Sequence, residues 1–198
     1  MSWPNRITIA RLLMVPVFVM LLLQARDHWG YRYAAMGLAL AIGVADAADG
    51  ILARRTGAVT RIGSILDPLA DYAFGISAMV TLSIPGVLAE GEALTLPYWV
   101  SVTLVSRALF MLGGAVVLYL VCGLFQGLPS VSGKGATVMQ FATVVVTCMA
   151  PDLLAWVGPA AWYALYGVWA VTVALAVVSL IGYIRTGSKL LTAGGHAG

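Results

Sequence analysis

The sequence predicts an all-α, polytopic membrane protein with six transmembrane helices. The prediction starts from two observations: 61% of the 198 residues are apolar, and only 10% are charged. A water-soluble domain carries about a quarter charged residues, so this chain has too few to cover a soluble surface. Backbone inside a bilayer must satisfy its own hydrogen bonds, and a helix does so within one segment. We interpret residues 1–198 as a single transmembrane domain.

Six apolar runs follow one another along the chain, and each is a predicted span. Most reach the roughly 20 residues that a helix needs to cross the hydrocarbon core, although the fifth is short. They cover residues 7–24, 33–53, 62–85, 97–121, 135–150 and 160–184. Glycine and proline mark connections between them, for example at Pro85-Gly86, Pro97 and Pro151. Residues 187–198 are expected to form a frayed tail.

The basic residues are distributed unevenly between the two sides of such a bundle. With six spans, one side receives both termini and the loops 54–61 and 122–134, and most of the Lys and Arg residues fall there. They are Arg6, Arg11, Arg54, Arg55, Arg61, Lys134, Arg185 and Lys189. The other side receives Arg26 and Arg32, and Arg107 is left inside a span. The positive-inside rule therefore predicts cytoplasmic termini, in the inner membrane of a bacterium.

The eight acidic residues divide into two groups of four. One group, Asp27, Glu90, Glu92 and Asp152, falls in or beside the predicted outer loops. The other group lies at the cytoplasmic ends of spans two and three and consists of Asp46, Asp49, Asp67 and Asp71. The i, i+3 and i, i+4 spacings put each pair on one helix face. The short connection predicts that the two helices are antiparallel neighbours, so that the four carboxylates converge.

Four converging carboxylates cannot all stay ionised unless cations neutralise them. Hard divalent cations with oxygen ligands are suited to this role, and four aspartates suit two Mg²⁺ or Mn²⁺ ions. An aspartate inside a membrane can instead pair with an arginine, but four at this spacing favour metal binding. We therefore predict a two-ion site.

Small and basic residues lie beside the aspartates. Gly50, Ala53 and Gly63 leave room for a large ligand to approach the helix backbones, although they would also suit helix packing. Arginines at positions 54, 55 and 61 would suit phosphate groups, or could act only as topology determinants. Two metal ions with arginines are typical of phosphoryl-transfer sites.

The segment that contains these residues resembles a family pattern. Asp46-Ala-Ala-Asp-Gly-Ile-Leu-Ala-Arg, eight residues, then Gly63-Ser-Ile-Leu-Asp-Pro-Leu-Ala-Asp is similar to the CDP-alcohol phosphatidyltransferase motif at its eight fixed positions. The resemblance extends to the N-terminal Pro4-Asn5-Arg-Ile-Thr-Ile-Ala-Arg, to Ser106-Arg107, and to the segment Gly133–Gln140. It therefore involves most of the chain.

The resemblance implies six transmembrane helices, a homodimer, and transfer of a phosphatidyl group from CDP-diacylglycerol to an alcohol with release of CMP. By position, Asp46, Asp49 and Asp67 would be metal ligands. Asp71 would bind the second metal and act as the general base. Gly50, Ala53, Arg54 and Gly63, together with Asp49, would frame the CDP group.

The acceptor alcohol is identified less directly. Arg107 and Lys134, with Arg61 and Arg11 as further candidates, would bind its phosphate. The stretch from Ser106 and that from Pro129 favour a cardiolipin synthase, which uses phosphatidylglycerol; the alternative is a phosphatidylglycerophosphate synthase, which uses glycerol 3-phosphate. Ala108 and Tyr72 depart from the family pattern, since many members have an acidic residue and a lysine there.

Two further hypotheses belong to other classes. A divalent-cation transporter could use the same carboxylates, but transporters often carry repeats and sites at the membrane centre, and this chain shows neither. A catalytically inactive scaffold would not need the complete set of aspartates. Nothing in the sequence indicates a nucleic-acid partner, and the expected partners are the bilayer, the lipid substrates and a second copy of the chain.

Overall fold

The computed structural model describes residues 3–56, 63–88, 94–122 and 131–194, and these are overwhelmingly helical. The helices are α1 (Trp3–Gln24), α2 (Trp29–Thr56), α3 (Gly63–Leu82), α4 (Tyr98–Cys122), α5 (Val131–Cys148), α6 (Ala150–Val157) and α7 (Ala161–Gly194). A 3-10 turn, Gly158–Ala160, joins α6 to α7. No strand occurs in these described ranges, which confirms the all-α prediction.

Each of the six predicted runs corresponds to one long helix, but one local prediction was wrong. Pro151 was expected to mark a connection, and it lies between α5 and α7, in the first turn of the short helix α6. A proline is tolerated there because the first N–H groups of a helix have no partner within the helix. The tail was expected to fray from Gly187, whereas α7 continues to Gly194. Residues 195–198 lie outside the described part.

Helix α1 packs against both α2 and α3, while α7 packs against α4 and α5. Helix α5 contacts α2, α3 and α7, so it connects the two groups of helices. The side chains between them are mainly apolar and fully buried, among them Phe18, Leu22, Met79, Leu104 and Trp169. The core therefore lies along the centre of the bundle, with α1 and α5 each touching the two helices that carry the aspartates.

Hydroxyl groups add specific contacts inside this apolar core. Thr143 on α5 and Thr172 on α7 are hydrogen-bonded at 2.7 Å, and the indole N–H of Trp169 donates to Thr147 Oγ1 at 3.0 Å. Ser83, just beyond α3, and Ser101 on α4 also form a buried hydrogen bond. Hydroxyls that bond across helices fix helix register where apolar contacts alone would allow sliding.

One end of the bundle is marked by an ion pair and by exposed aromatic side chains. Arg32 near the start of α2 donates to Asp152 of α6 at 2.7 Å. Exposed aromatic residues lie at the same end, at the starts of α2, α4 and α7 and in α6, among them Trp29, Tyr98, Trp156 and Tyr163. Trp and Tyr concentrate where a membrane meets water. The ion pair joins Arg32 and Asp152, both of which the charge pattern assigned to the outer side.

The exterior of the bundle is apolar. Large side chains such as Leu13, Val44 and Leu120 are exposed, with Leu120 75% accessible. Over the described residues, the segments Tyr98–Val117 and Ala150–Ser188 are long and apolar enough to cross a membrane, and three further apolar helical stretches are shorter. An apolar exterior of this extent is expected of a protein whose solvent is lipid.

Candidate active site

The four aspartates of the predicted metal site lie at the end of α2 and the start of α3. Asp46 and Asp49 are within α2, and Asp67 and Asp71 are within α3, so the helical spacing assumed for each pair is confirmed. The side chain of Asp71 is described and is 28% exposed. The side chains of the other three lie outside the described part, and their convergence stays a prediction.

Helices α2, α3 and α5 also contain predicted site residues whose side chains lie outside the described part. These residues are Gly50, Ala53, Arg54, Gly63 and Lys134. Arg61 falls between α2 and α3, wholly outside the described ranges. Arg11, Asp71 and Arg107 can therefore be examined directly.

Arg11 of α1 forms an ion pair with Asp71 of α3. The guanidinium Nη2 donates to Asp71 Oδ1, although the two residues are 60 positions apart in the chain. Arg11 is only 3% exposed, and Thr8, one turn earlier on α1, is equally buried. The start of α1 is thus packed against the aspartate region. This contact brings a buried cation to the predicted general base.

A layer of aromatic rings lies one helical turn deeper than the aspartates. Phe74, three residues after Asp71, stacks on Phe141 of α5 with ring centroids 5.0 Å apart and planes 11° apart. Phe18 of α1 contacts the other side of Phe74, also at 5.0 Å. A Cβ added to Gly43, which is one turn before Asp46, would lie 3.4 Å from the Phe141 ring. These rings form an apolar floor beneath Asp46 and Asp71.

Close helix packing continues at Gly75, four residues after Asp71. A side chain added there would collide with the amide of Gln140 on α5. The glycine therefore allows a polar side chain from α5 to lie directly against α3 near the floor. The site region is bounded by α1, α2, α3 and α5 at this depth.

Arg107 of α4 is a buried cation with incomplete hydrogen bonding. It is 5% exposed, and its Nη2 donates to the carbonyl oxygen of Gly133 at 3.3 Å and to Ser179 Oγ at 3.4 Å. Its Nε has no partner, and no carboxylate reaches it from the described residues. An isolated buried charge is strongly unfavourable. Arg107 therefore stays a predicted anion-binding residue.

Two tyrosines accompany Arg107. Tyr72, the residue after Asp71, lies close enough to Arg107, Tyr183 and Asp71 to interact electrostatically with each. Tyr183 of α7 donates from its hydroxyl to the carbonyl oxygen of Met111 at 3.2 Å. Gly114 makes this possible, since a Cβ there would lie 2.6 Å from the Tyr183 ring. Arg107 and its neighbours thus continue the site from Asp71 toward α4 and α7.

Sequence reasoning did not identify Ser179 or Tyr183 as part of this region. Both lie in a long apolar helix, Ser179 is 72 residues from Arg107, and Tyr183 is 72 residues from Met111. The available signal was weak: polar side chains four residues apart in α7, and the Gly113-Gly114 pair in α4. The burial of Arg107 agrees with its expected place inside a span, and its role in binding an anion stays a prediction.

Comparison with known proteins adds independent information. The family model of the CDP-alcohol phosphatidyltransferases matches residues 1–181. The chain belongs to this family. Its members are membrane enzymes that generally use divalent metal ions, which agrees with the apolar exterior and with a carboxylate-rich motif.

Several curated relatives carry different names. The chain is 36% identical over 106 residues to a probable phosphatidylglycerophosphate synthase of Mycobacterium tuberculosis, covering 53% of this chain and 47% of the relative. It is 35% identical over 115 residues to a cardiolipin synthase (CMP-forming) of Streptomyces coelicolor, covering 55% and 47%. A Bacillus subtilis CDP-diacylglycerol–glycerol-3-phosphate 3-phosphatidyltransferase is 31% identical over 126 residues, covering 58% and 61%.

The chain spans about half the length of the first two of these relatives. The relatives are named for different reactions, one as a phosphatidylglycerophosphate synthase, one as a glycerol-3-phosphate 3-phosphatidyltransferase and one as a cardiolipin synthase. The names therefore do not distinguish phosphatidylglycerol from glycerol 3-phosphate as the acceptor. The predicted determinants of this choice are the residues around Asp71 and Arg107, which include Tyr72 and Ala108.

The donor set fits the divalent ions that the family uses. The motif supplies four carboxylates, which are the oxygen ligands that Mg²⁺ and Mn²⁺ prefer. The structure adds one observation: the guanidinium of Arg11 already provides positive charge at Asp71. A carboxylate that attracts an internal cation in this way is also suited to a metal ion.

Proposed function

We propose that this protein transfers a phosphatidyl group from CDP-diacylglycerol to an alcohol acceptor and releases CMP. The observation on which the proposal depends is the complete eight-residue motif at the end of α2 and the start of α3, in a chain that matches the family model over residues 1–181. The reaction belongs to glycerophospholipid biosynthesis.

The four aspartates have distinct proposed roles. Asp46, Asp49 and Asp67 would hold two Mg²⁺ or Mn²⁺ ions, and Asp71 would contribute to binding the second. When bound, these ions supply Lewis-acid charge that binds the diphosphate and stabilises the negative charge on the departing CMP. Gly50, Ala53, Arg54 and Gly63, with Asp49, leave space for the CDP group and contact it.

Asp71 is the proposed general base. It accepts the proton of the acceptor hydroxyl as that oxygen attacks the phosphorus bearing the diacylglycerol. A new P–O bond forms to the acceptor, the bond from this phosphorus to the bridging oxygen breaks, and CMP leaves with the electron pair. The apolar floor of Phe18, Phe74 and Phe141 supports this role, because it limits water access to Asp71 from inside the bundle.

The proposed acceptor is phosphatidylglycerol, which gives cardiolipin; glycerol 3-phosphate, which gives phosphatidylglycerophosphate, is the second candidate. Arg107 supports an acceptor with a phosphate group, because it is buried without a carboxylate partner among the described residues. Lys134, Arg61 and Arg11 are further candidates for this phosphate. Tyr72 favours phosphatidylglycerol, since a phenol next to Arg107 adds a hydrogen-bond donor without a second charge.

We further propose six membrane spans, formed by α1 to α5 and α7, with both termini and the aspartates on the cytoplasmic side of a bacterial inner membrane. The distribution of basic residues supports this orientation. The aromatic residues at the Arg32–Asp152 end support a membrane–water interface there. We also propose that the protein acts as a homodimer.

An acceptor competition tests the function. Purified protein receives CDP-diacylglycerol, Mn²⁺ and either phosphatidylglycerol or glycerol 3-phosphate, and mass spectrometry identifies the lipid product. We expect cardiolipin with phosphatidylglycerol and a much smaller yield with glycerol 3-phosphate. If phosphatidylglycerol gives no product, the proposed acceptor is wrong; if neither acceptor gives CMP, the transferase proposal itself is wrong.

The family match gives no support to the alternative of a divalent-cation transporter. The two ideas differ in a simple measurement. Protein in sealed liposomes, without any CDP-lipid, should not carry Mn²⁺ across the bilayer if the carboxylates serve catalysis. Protein-dependent Mn²⁺ flux under these conditions would support the transporter hypothesis instead.

A further inference from the structure

The described residues contain two pairs of a buried arginine with a partly exposed aspartate, and the pairs lie at opposite ends of the bundle. Arg32 pairs with Asp152, which is not part of the family motif. Arg11 pairs with Asp71, which is the last aspartate of that motif. The first pair joins α2 to α6 and has a structural role. The second involves a carboxylate that the proposed reaction needs for metal binding and proton transfer.

An arginine and a divalent ion compete for one carboxylate. Each cation is stabilised by the same negative charge, and placing both against it adds repulsion between them. The competition is strong here because Arg11 is 3% exposed, so water screens its charge poorly. The ion pair therefore lowers the affinity of Asp71 for a metal ion as long as Arg11 remains in contact with it.

We propose that Arg11 and a divalent ion are alternative partners of Asp71 and that substrate binding exchanges one for the other. Arg11 releases Asp71 to the incoming divalent ion and transfers its own hydrogen bonds to a phosphate oxygen of the CDP group, which assigns Arg11 to the donor substrate instead of the acceptor phosphate for which it was one candidate. The proposal depends on the proposed function, because it assumes that Asp71 takes part in a site for metal and CDP. It makes Arg11 a positioning residue that couples the binding of the two ligands.

The exchange replaces the Arg11–Asp71 contact by two contacts of opposite charge: carboxylate with metal ion, and guanidinium with phosphate. Arginine suits the second contact because its planar group presents five N–H donors that match phosphate oxygens. The two ligands favour the same displacement of Arg11, since the metal ion takes its contact at Asp71 and the phosphate takes its guanidinium group. The metal ion and the nucleotide should therefore bind cooperatively.

Binding of Mn²⁺ to the purified full-length protein tests this without measuring turnover. Free Mn²⁺ is quantified by electron paramagnetic resonance during titration, with and without CDP. In the wild type, CDP should strengthen Mn²⁺ binding. In Arg11→Gln, Mn²⁺ alone should bind roughly tenfold more tightly than in the wild type, equivalent to about 1.4 kcal/mol, and CDP should add little.

Two variants control for structural damage. Asp152→Asn breaks the matched pair at the other end of the bundle and should leave Mn²⁺ affinity and the CDP effect unchanged. Arg11→Lys keeps a cation at Asp71 but loses the planar fork, so Mn²⁺ alone should bind nearly as in the wild type, with a smaller CDP effect. Arg11→Lys also provides the test of cooperativity if Arg11→Gln does not fold.

The outcomes separate the inference from the proposed function. Unchanged or weaker Mn²⁺ binding in Arg11→Gln would overturn the inference, because it would mean that Arg11 supports the metal site instead of competing with it. A full CDP effect in Arg11→Lys would overturn the transfer of Arg11 to phosphate. A wild type that binds no Mn²⁺ even with CDP would contradict the proposed metal-dependent function, and the inference would fail with it.

Discussion

Replacing Gly114 by alanine should destabilise the protein and weaken acceptor binding, whereas the same change at the adjacent Gly113 should do neither. A Cβ at position 114 would lie 2.6 Å from a ring carbon of Tyr183 and 2.9 Å from its hydroxyl oxygen. A Cβ at position 113 would meet nothing within 4 Å. The two glycines are neighbours in α4, so they form a matched pair.

The expected change in the free energy of unfolding combines two destabilising contributions and one stabilising contribution. Overpacking against the rigid Tyr183 ring costs about 1–3 kcal/mol. Displacing Tyr183 also breaks its 3.2 Å hydrogen bond to the Met111 carbonyl oxygen, which costs about 0.5–1.5 kcal/mol. Replacing a helical glycine by alanine returns up to about 1 kcal/mol. The net loss for Gly114→Ala is about 1–3 kcal/mol, and Gly113→Ala gains up to about 1 kcal/mol.

Thermal unfolding in detergent, followed by tryptophan fluorescence, measures the stability of both variants. Titration of phosphatidylglycerol at saturating CDP-diacylglycerol measures the second effect, because a displaced Tyr183 disturbs the neighbourhood of Tyr72 and Arg107. We expect a higher acceptor KM for Gly114→Ala and a wild-type KM for Gly113→Ala. Equal stability and equal KM in the two variants would refute the close approach of α4 and α7 at Tyr183.

The remaining predictions concern charged and phenolic groups. Asp71→Asn should lower the rate of CMP release by about 10²–10⁴-fold through loss of the general base, and a wild-type rate would disprove that role. Arg107→Leu should raise the acceptor KM about 10- to 100-fold, with a smaller rise in Arg107→Lys, because one charge-assisted contact to phosphate is lost; an unchanged KM would place the acceptor elsewhere. Tyr72→Lys should increase product from glycerol 3-phosphate relative to phosphatidylglycerol, since a second cation suits a dianionic phosphate, and an unaltered product ratio in mass spectrometry would exclude Tyr72 as a selector. Asp152→Asn should destabilise the bundle by about 1–3 kcal/mol, because it leaves Arg32 buried without a counter-charge, while catalysis per folded molecule stays normal; unchanged unfolding would show that the pair contributes little.

The helices were predictable because their signals are local. Apolar runs of sufficient length and the hydrogen-bonding needs of backbone in lipid predict helices without any knowledge of packing. The connection expected at Pro151 is present, and it contains the short helix α6. The same logic failed after Gly187, where α7 continues to Gly194. The residue at which a helix ends depends on its capping interactions and on the adjoining residues. Apolar composition alone does not predict these.

The motif aspartates were predictable for the same reason. Spacings of three and four residues place Asp46 with Asp49, and Asp67 with Asp71, on shared helix faces whatever the rest of the fold does. The charge pattern also assigned Arg32 and Asp152 to the same side of the protein. In the structure these two residues form an ion pair. Chemical type and local spacing were sufficient for these conclusions.

The partners of the buried arginines were decided only by the tertiary structure. Arg11 reaches Asp71 across 60 residues, and Arg107 reaches Ser179 across 72. Each contact depends on which helices pack together and how far each is rotated about its axis, and small residues such as Gly75 and Gly114 control how closely they approach. The sequence by itself determined which groups are available for the proposed chemistry. The packing of α1 on α3 decided that Asp71 meets Arg11, and the packing of α4 on α7 decided that Arg107 meets Ser179.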